Sequence, residues 1–259
     1  MAQATYHRRV LVLRKTKLGE SDLILSLLDE EGRQIRAVAK GARKPTSSFA
    51  SRLELFSCCD VLLVKGKSLD IVKEAKLVAS HGQVRSDLVK STGAAVVCEL
   101  LGKSTESGLD NPRLFPMANA YLATLCESEV GGDRTAALLT VACLAKIVAQ
   151  LGFRPCLDSC VECGLPLAGR ESRALMSYVE GGRLCPECFA SASCFQVSGL
   201  CLDWLDSLVT LRFSEVASLQ ELGADAQTRR ECLQVLSAWV SVQMSIHLNG
   251  MKMRLSLLG

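Results

Sequence analysis

Four cysteines in two matched pairs carry the most specific chemistry in this 259-residue sequence. Cys160 and Cys163 form one Cys-x-x-Cys in "DSCVECG", and Cys185 and Cys188 form a second in "CPEC", after a gap of 21 residues. The first pair is followed by Gly164 and the second contains Pro186, so each sits on a tight knuckle. Two thiolates on one knuckle can reach one cation, and four fill the tetrahedral shell of Zn2+. The gap lies just beyond the usual spacing of about 15–20 residues, and a β-hairpin through "ALMSYVEGGRL" absorbs it. A thioredoxin-type redox pair needs a βαβ context that neither motif has. Structural disulfides remain an alternative, but they suit an oxidising compartment. Cys156 and Cys194 flank the quartet at less regular spacing and are left out of it. A full shell of four thiolates leaves no position for water or substrate, so the expected role is one structural zinc ion.

The second informative stretch is "GRQIRAVAKGARKPTSSFASRLELF". From Gly32 to Leu53 it holds Arg33, Arg36, Lys40, Arg43, Lys44 and Arg52 and no acid. Gly41, Pro45 and a run of serines mark its middle as a loop, read as cationic and flexible. Such a loop can track a phosphate backbone, with hydroxyl and backbone N–H groups adding neutral contacts. The expected nucleic-acid-binding set is Arg14, Lys15, Lys40, Arg43, Lys44 and Arg52, and Lys17, Lys65 and Lys67 are possible extensions of the patch. The bland alternative is a solvated charged face. Phe49 either stacks on a base or packs beneath the loop. Aromatic residues are only 5% of the chain, so backbone contact, little sequence preference and steep salt dependence are expected.

Catalytic signatures are missing. There is no phosphate-binding Gly-rich loop and no G-x-S-x-G. His7, His81 and His247 are the only histidines, and none has a partner at informative spacing. Asp29, Glu30 and Glu31 cluster in a turn, where acids are usually solvated, so two-metal nuclease chemistry is a weak third reading. The expectation is a protein that is not an enzyme. Its runner-up description is a zinc-stabilised interaction adaptor whose basic loop binds an acidic protein.

These groups need a scaffold, and the rest of the chain supplies it. Hydrophobic residues make up 49% of the sequence, enough for a sizeable core. Residues 1–80 carry 15 Lys/Arg against 9 Asp/Glu, and the remainder carries 15 against 18, so an anionic partner should meet the first third. No stretch is apolar and long enough for a signal peptide or a membrane span, and most cysteines lie in apolar runs. The reading is a reduced, soluble, cytoplasmic chain without membrane contact. Residues 1–80 show about five short strands, with "DEEG" and "KGKS" as turns, which suits an OB-type barrel or an SH3-like one. Residues 81–152 and 198–259 have helical periodicity. Asp133 is a candidate N-cap and Gly152 a C-cap residue of a central helix, and the longest helix spans 225–248. Residues 153–197 form a loop-rich insertion too short for its own core. The fold class is thus α+β and multi-domain: an OB-fold barrel at 1–80, a helical domain, and a four-cysteine zinc insertion at 153–197.

In order, these pieces resemble the RecO family of bacterial recombination and repair mediators. "GESD" at 19–22 and "AKGARK" at 39–44 carry the N-terminal match, and "GFRPCLDSCVECG" with "CPEC" resembles the zinc-bearing segment of many members. The resemblance implies an OB-fold that binds single- and double-stranded DNA and anneals strands, including strands coated with single-strand-binding protein. It also implies cooperation with RecR in loading RecA, capture of the acidic, apolar tail of single-strand-binding protein on the helical domain, and a place at the bacterial nucleoid. Arg113, Arg134 and Arg154 are the basic residues of the helical region that could receive that tail.

Overall fold

The computed structural model describes residues 4–105, 110–128, 132–167, 172–189, 194–219 and 224–258. They fall into two compact units, Met1–Glu127 and Ser128–Gly259. Among the described residues no helix is long and apolar enough to cross a membrane.

The first unit is built on five strands: β1 (Thr5–Leu18), β2 (Asp22–Asp29), β3 (Gln34–Ala39), β4 (Cys58–Val64) and β5 (Asp70–Ala79). They close in the order β1-β2-β3-β5-β4, with β4 pairing back onto β1. That order is the OB-type one, which the strand pattern alone could not separate from an SH3-like barrel. Alternation builds the inside: Leu23, Leu25 and Leu27 of β2 and Ala37 and Ala39 of β3 point into one core with Val10, Val12, Val61 and Leu63. The β2–β3 turn is held by Asp29, whose Oδ1 accepts from the Glu31 and Arg33 backbone N–H groups. Gly32 has φ +79°, and a Cβ there would collide with the Asn111 carbonyl, so only glycine fits.

Three helices complete this unit: α1 (Gly82–Ser86), α2 (Leu88–Ser104) and α3 (Leu114–Glu127). The sequence reads as one helix across 84–104. The structure breaks it at Asp87, which takes an extended conformation and caps α2 by accepting from Val89 and Lys90 N–H. Pro116 lies in the first turn of α3, where its missing N–H costs nothing.

The second unit centres on α4 (Asp133–Gln150), apolar almost all round and packed by α6 (Gly199–Thr210), α7 (Phe213–Ala217) and α8 (Ala226–Gln243). Its N-cap is Gly132, not Asp133; Gly152 follows the helix with φ +88°, as a C-terminal glycine should. Asp133 instead pairs with distant arginines. It holds the fully buried Arg254 of α9 (Met251–Ser256) at 2.9 Å and faces Arg229 of α8 at 3.7 Å. The long helix α8 stops at Gln243, five residues short of the expected end, and Ser245 turns the chain with φ +55°. Between α4 and α6 lie β6 (Arg173–Ser177), β7 (Gly182–Leu184), the single turn α5 (Pro186–Phe189) and β8 (Phe195–Ser198), joined as a sheet in the order β7-β6-β8.

Removing one partner of a buried ion pair strands the other charge, at a cost of about 3–5 kcal/mol. Asp133→Asn should therefore destabilise the second unit by about that much in denaturant titration. Adding Arg254→Met to the same chain should return part of it, because the stranded charge is gone.

Candidate metal centre and nucleic-acid interface

The two cysteine knuckles meet as their spacing predicts. In the first, Gly164 has φ +74°, its N–H bonds the Cys160 carbonyl at 2.9 Å, and Cys160 N–H bonds the Leu165 carbonyl at 2.8 Å. The second knuckle is delivered by the β6–β7 hairpin, which ends one residue before Cys185. The hairpin bends at Gly181, φ +87°, and a Cβ on the next residue, Gly182, would collide with the Cys156 carbonyl. That contact zips the two knuckles together: Cys156 N–H bonds Gly181 O at 3.1 Å and Arg183 N–H bonds Cys156 O at 2.9 Å.

The Sγ atoms of Cys160, Cys163, Cys185 and Cys188 all lie within 4.8 Å of one another, and Cys163 and Cys185 are 3.8 Å apart. A tetrahedral ion with bonds of about 2.3 Å needs its sulfurs about 3.8 Å apart, so the quartet fits one metal ion. Desolvation raises the Cys160 thiol, but the Cys163, Cys185 and Glu162 backbone N–H groups outweigh it and bring the thiol down to about 6. Cys188 is driven up by its hydrogen bond to the Cys185 sulfur and by desolvation. One thiolate is thus ready, and further negative charge needs a cation between the sulfurs. Among the described residues, the apolar cluster at the knuckles has Cys160, Leu184 and Cys185 buried, and Ala174, Met176 and Val197 of the β7-β6-β8 sheet are buried outside it. Cys156 and Cys194 stay outside: Cys156 Sγ faces Asp158 and Ser159, and Cys194 Sγ faces the Phe189 carbonyl.

The cationic residues divide into engaged and free. Lys15 is bound to Glu54 at 2.7 Å, and Arg52 donates to the Ala75 carbonyl of β5 at 3.1 Å. Arg43 donates to the Gly19 carbonyl in the β1–β2 turn at 2.9 Å. Lys65 pairs with Asp70 at 3.6 Å. Arg14, Lys40 and Lys44 are exposed and make no ion pair among the described residues. Strand register adds Arg36, which lies in the basic run but outside the expected set. Arg14 of β1 lies opposite Ser26 of β2, and Ser26 lies opposite Arg36 of β3. One outer row thus reads Arg14–Ser26–Arg36, its ends about 9.6 Å apart across two strand spacings. The signal is present in "QIRAVAK": Ala37 and Ala39 face inward, so Arg36, Val38 and Lys40 face outward. Asp22 is the acid beside this face. The Gly41 N–H and then the Ser21 hydroxyl hold its carboxyl below the usual range, with Lys40 and Lys44 adding to the shift.

The loop from Lys40 to Arg52 is not a free arm. It runs as consecutive turns, with Lys44 N–H on Gly41 O, Ser47 on Lys44 and Leu53 on Phe49. Ala42 and Leu53 are buried in the barrel core and Phe49 packs against it, which decides between stacking and packing for Phe49. The other barrel aromatics are also occupied: Phe56 is buried, and the Tyr6 hydroxyl donates to Asp70. Two acids of the β2–β3 turn are spent on structure, with Asp29 buried beside Arg8 and Glu31 paired to Arg33 at 2.6 Å, while Glu30 is exposed.

Of the three arginines considered for an acidic tail, Arg113 precedes α3 in the first unit, and Arg134 and Arg154 belong to the second. Arg154 stands at the mouth of an apolar cleft with Asp206, 2.7 Å away. The cleft is narrow and opens to solvent between residues such as Val148, Leu157, Met176, Leu205, Leu236 and Trp239.

Comparison with known proteins agrees with these features. Residues 1–81 match the family model "Recombination protein O N terminal" and residues 85–252 match "Recombination protein O C terminal". The chain is similar to the DNA repair protein RecO of Desulfitobacterium hafniense, 34% identical over 236 residues, which cover 89% of this chain and 82% of that one. It is 32% identical to the DNA repair protein RecO of Rubrobacter xylanophilus over 217 residues, 83% and 85% of the two chains. With that of Bifidobacterium adolescentis it shares 32% identity over 240 residues, 90% and 92% of the two chains.

Elemental analysis should find one metal ion per chain. Cys185→Ser, or chelation, should bring amide exchange over residues 156–167 and 172–189 close to that of an unstructured chain and leave the barrel strands protected. Unchanged protection in metal-free protein would remove the metal's structural role.

Proposed function

The chain belongs to the RecO family, and from that premise we propose that it is a non-enzymatic recombination mediator in DNA repair. It binds single- and double-stranded DNA through the barrel and anneals complementary strands. The observation that carries this reading is the outer face of β1, β2 and β3. Arg14 and Arg36 are exposed there, and Lys40 and Lys44 in the turns that follow β3, all without ion pairs among the described residues, and no barrel aromatic is free to stack. Such a face neutralises phosphates and leaves bases unengaged. Two strands held this way repel each other less and keep their pairing edges free to find register. Arg43 and Arg52 keep their charge while their side chains brace backbone carbonyls, so they add to the field.

The ion in the cysteine site is zinc on this reading, as four thiolates with no open position suit a structural Zn2+. Its chemistry is to neutralise the thiolates and fix both knuckles. The second unit takes up the acidic, apolar tail of single-strand-binding protein in the cleft at Trp239. Leu157, part-exposed at the lip, meets its apolar part, and Arg154 exchanges Asp206 for a tail carboxylate. DNA already coated by that protein is thereby recruited, and RecR, together with this chain, passes it to RecA. The setting is the bacterial cytoplasm, at the nucleoid.

Replacing Arg14, Arg36, Lys40 and Lys44 with Ala should slow annealing of complementary oligonucleotides. It should flatten the log–log salt dependence of single-strand binding by about 0.7 per lost contact. Thermal stability should change little, since exposed, unpaired charges contribute little to it. An unchanged slope would remove this face from the DNA interface.

A further inference from the structure

The cleft at Trp239 has walls of two kinds. Val148 of α4, Leu205 of α6, and Leu236 and Trp239 of α8 belong to the helical core, each at most 5% exposed. The remaining wall comes from the cysteine-bearing segment: Arg154, Pro155 and Leu157 at its start and Met176 on β6. Within this wall Met176 is packed into the core, whereas Arg154, Pro155 and Leu157 keep exposed surface, and the buried cluster beside them holds Leu184 with Cys160 and Cys185.

The wall's backbone tethers lead to the cysteines. Leu157 is three residues from Cys160. Cys156 is bridged to Gly182 on β7, the strand that runs directly into Cys185. Arg183, on the same strand, donates from Nη1 to the carbonyls of Leu157 at 3.1 Å and Leu167 at 3.0 Å. On its other side the wall leans on α8. The Trp239 indole donates to the Phe153 carbonyl at 2.8 Å, and Gln243 donates to the Tyr178 carbonyl. Tyr178 stacks on Phe195 with ring centroids 4.0 Å apart and meets Trp239 edge-on at 6.2 Å. The segment is therefore clamped at one end by the cysteine quartet and at the other by α8, with the cleft between the clamps.

We propose that the metal centre builds the cleft, so that metal occupancy controls docking of the acidic, apolar tail. This rests on the assignment of the cleft to that tail. Without an ion nothing bonds the four sulfurs to one another, β7 loses its anchor at Cys185, and the Leu157 wall swings away from α8. The apolar floor formed by Trp239 and Leu236 then faces water without an opposing side. Metal binding and tail binding are coupled, and each strengthens the other. Arg183 is a positioning residue in this scheme, because it carries the metal-fixed geometry of β7 to the Leu157 carbonyl.

The test uses the full chain in a Trp204→Phe background, which leaves Trp239 as its tryptophan. Acrylamide quenching of Trp239, affinity for a fluorescent synthetic tail peptide, metal content and single-strand binding are measured before chelation, after it, and after zinc is returned. Chelation should raise quenching and weaken peptide binding at least tenfold, zinc should reverse both, and DNA binding should hold. Arg183→Met, which keeps all four ligands, should retain its metal yet bind the peptide several-fold more weakly. Unchanged quenching and peptide affinity after metal release would overturn the proposal. If chelation unfolds the helices altogether, unchanged peptide affinity in metal-loaded Arg183→Met overturns it instead. If quenching responds to metal but the peptide binds in no state, control of the cleft by metal stands and the assignment of the tail to it falls.

Discussion

One strand closes the barrel and also decides which of its charges face outward. The first half of β1 pairs with β4 and its second half with β2, so all other pairings depend on its 14 residues. The register slips between Val12 and Arg14. Before the slip Val10 and Val12 point into the core; after it Lys15 and Lys17 take the inward parity, and Arg14, Thr16 and Leu18 face out. Without that extra residue Arg14 would continue the parity of Val12 and point at the core, since one residue of slippage exchanges the two faces of a strand. The bulge thus aligns Arg14 with Ser26 and Arg36. The parity also explains why Lys15 is engaged: at the barrel's rim on the inner side it finds Glu54.

The same slip separates what is legible in the sequence from what is not. The cysteine quartet is legible because coordination chemistry is local, and two knuckles and a hairpin are all it needs. The five strands are legible because short apolar and β-branched runs are separated by turn residues such as "DEEG" and "KGKS". The bulge is not, since nothing in "VLVLRKTK" marks which residue is the extra one, and so Arg14 and Lys15 look equivalent. The Lys15–Glu54 pair joins residues 39 apart, which no local pattern reports. Asp133 looks like a helix cap because an acid stands at a helix start. Its actual partner, Arg254, lies 121 residues away at the far end of the chain.

The engagement of the aromatics sharpens the function. A protein that stores single strands by stacking must let bases go before they can pair, at about 1–3 kcal/mol per stacked base. Here Phe49 and Phe56 are taken up by the barrel core and the Tyr6 hydroxyl by Asp70. For the function proposed above, contact through phosphates alone would hold a strand loosely and leave its pairing edges untouched.

Several cations of the second unit are used in the opposite way to the free cations of the barrel. In the second, Arg254 and Arg229 share Asp133, Arg154 meets Asp206, and Lys146 donates to the Val209 carbonyl and lies over Phe213. These cations are committed to their own fold, and Arg254 is so deeply placed that no external anion can reach it. On the barrel's outer face Arg14, Arg36, Lys40 and Lys44 are hydrated and uncommitted. An exposed charge gives up little hydration when it meets a phosphate, and the release of condensed counterions drives the contact. The formal charge of the whole chain, only +3, conceals this division. What matters for a polyanion is that Arg14 and Arg36 stand in one outer row, which the bulge of β1 completes, with Lys40 and Lys44 in the turns that follow β3.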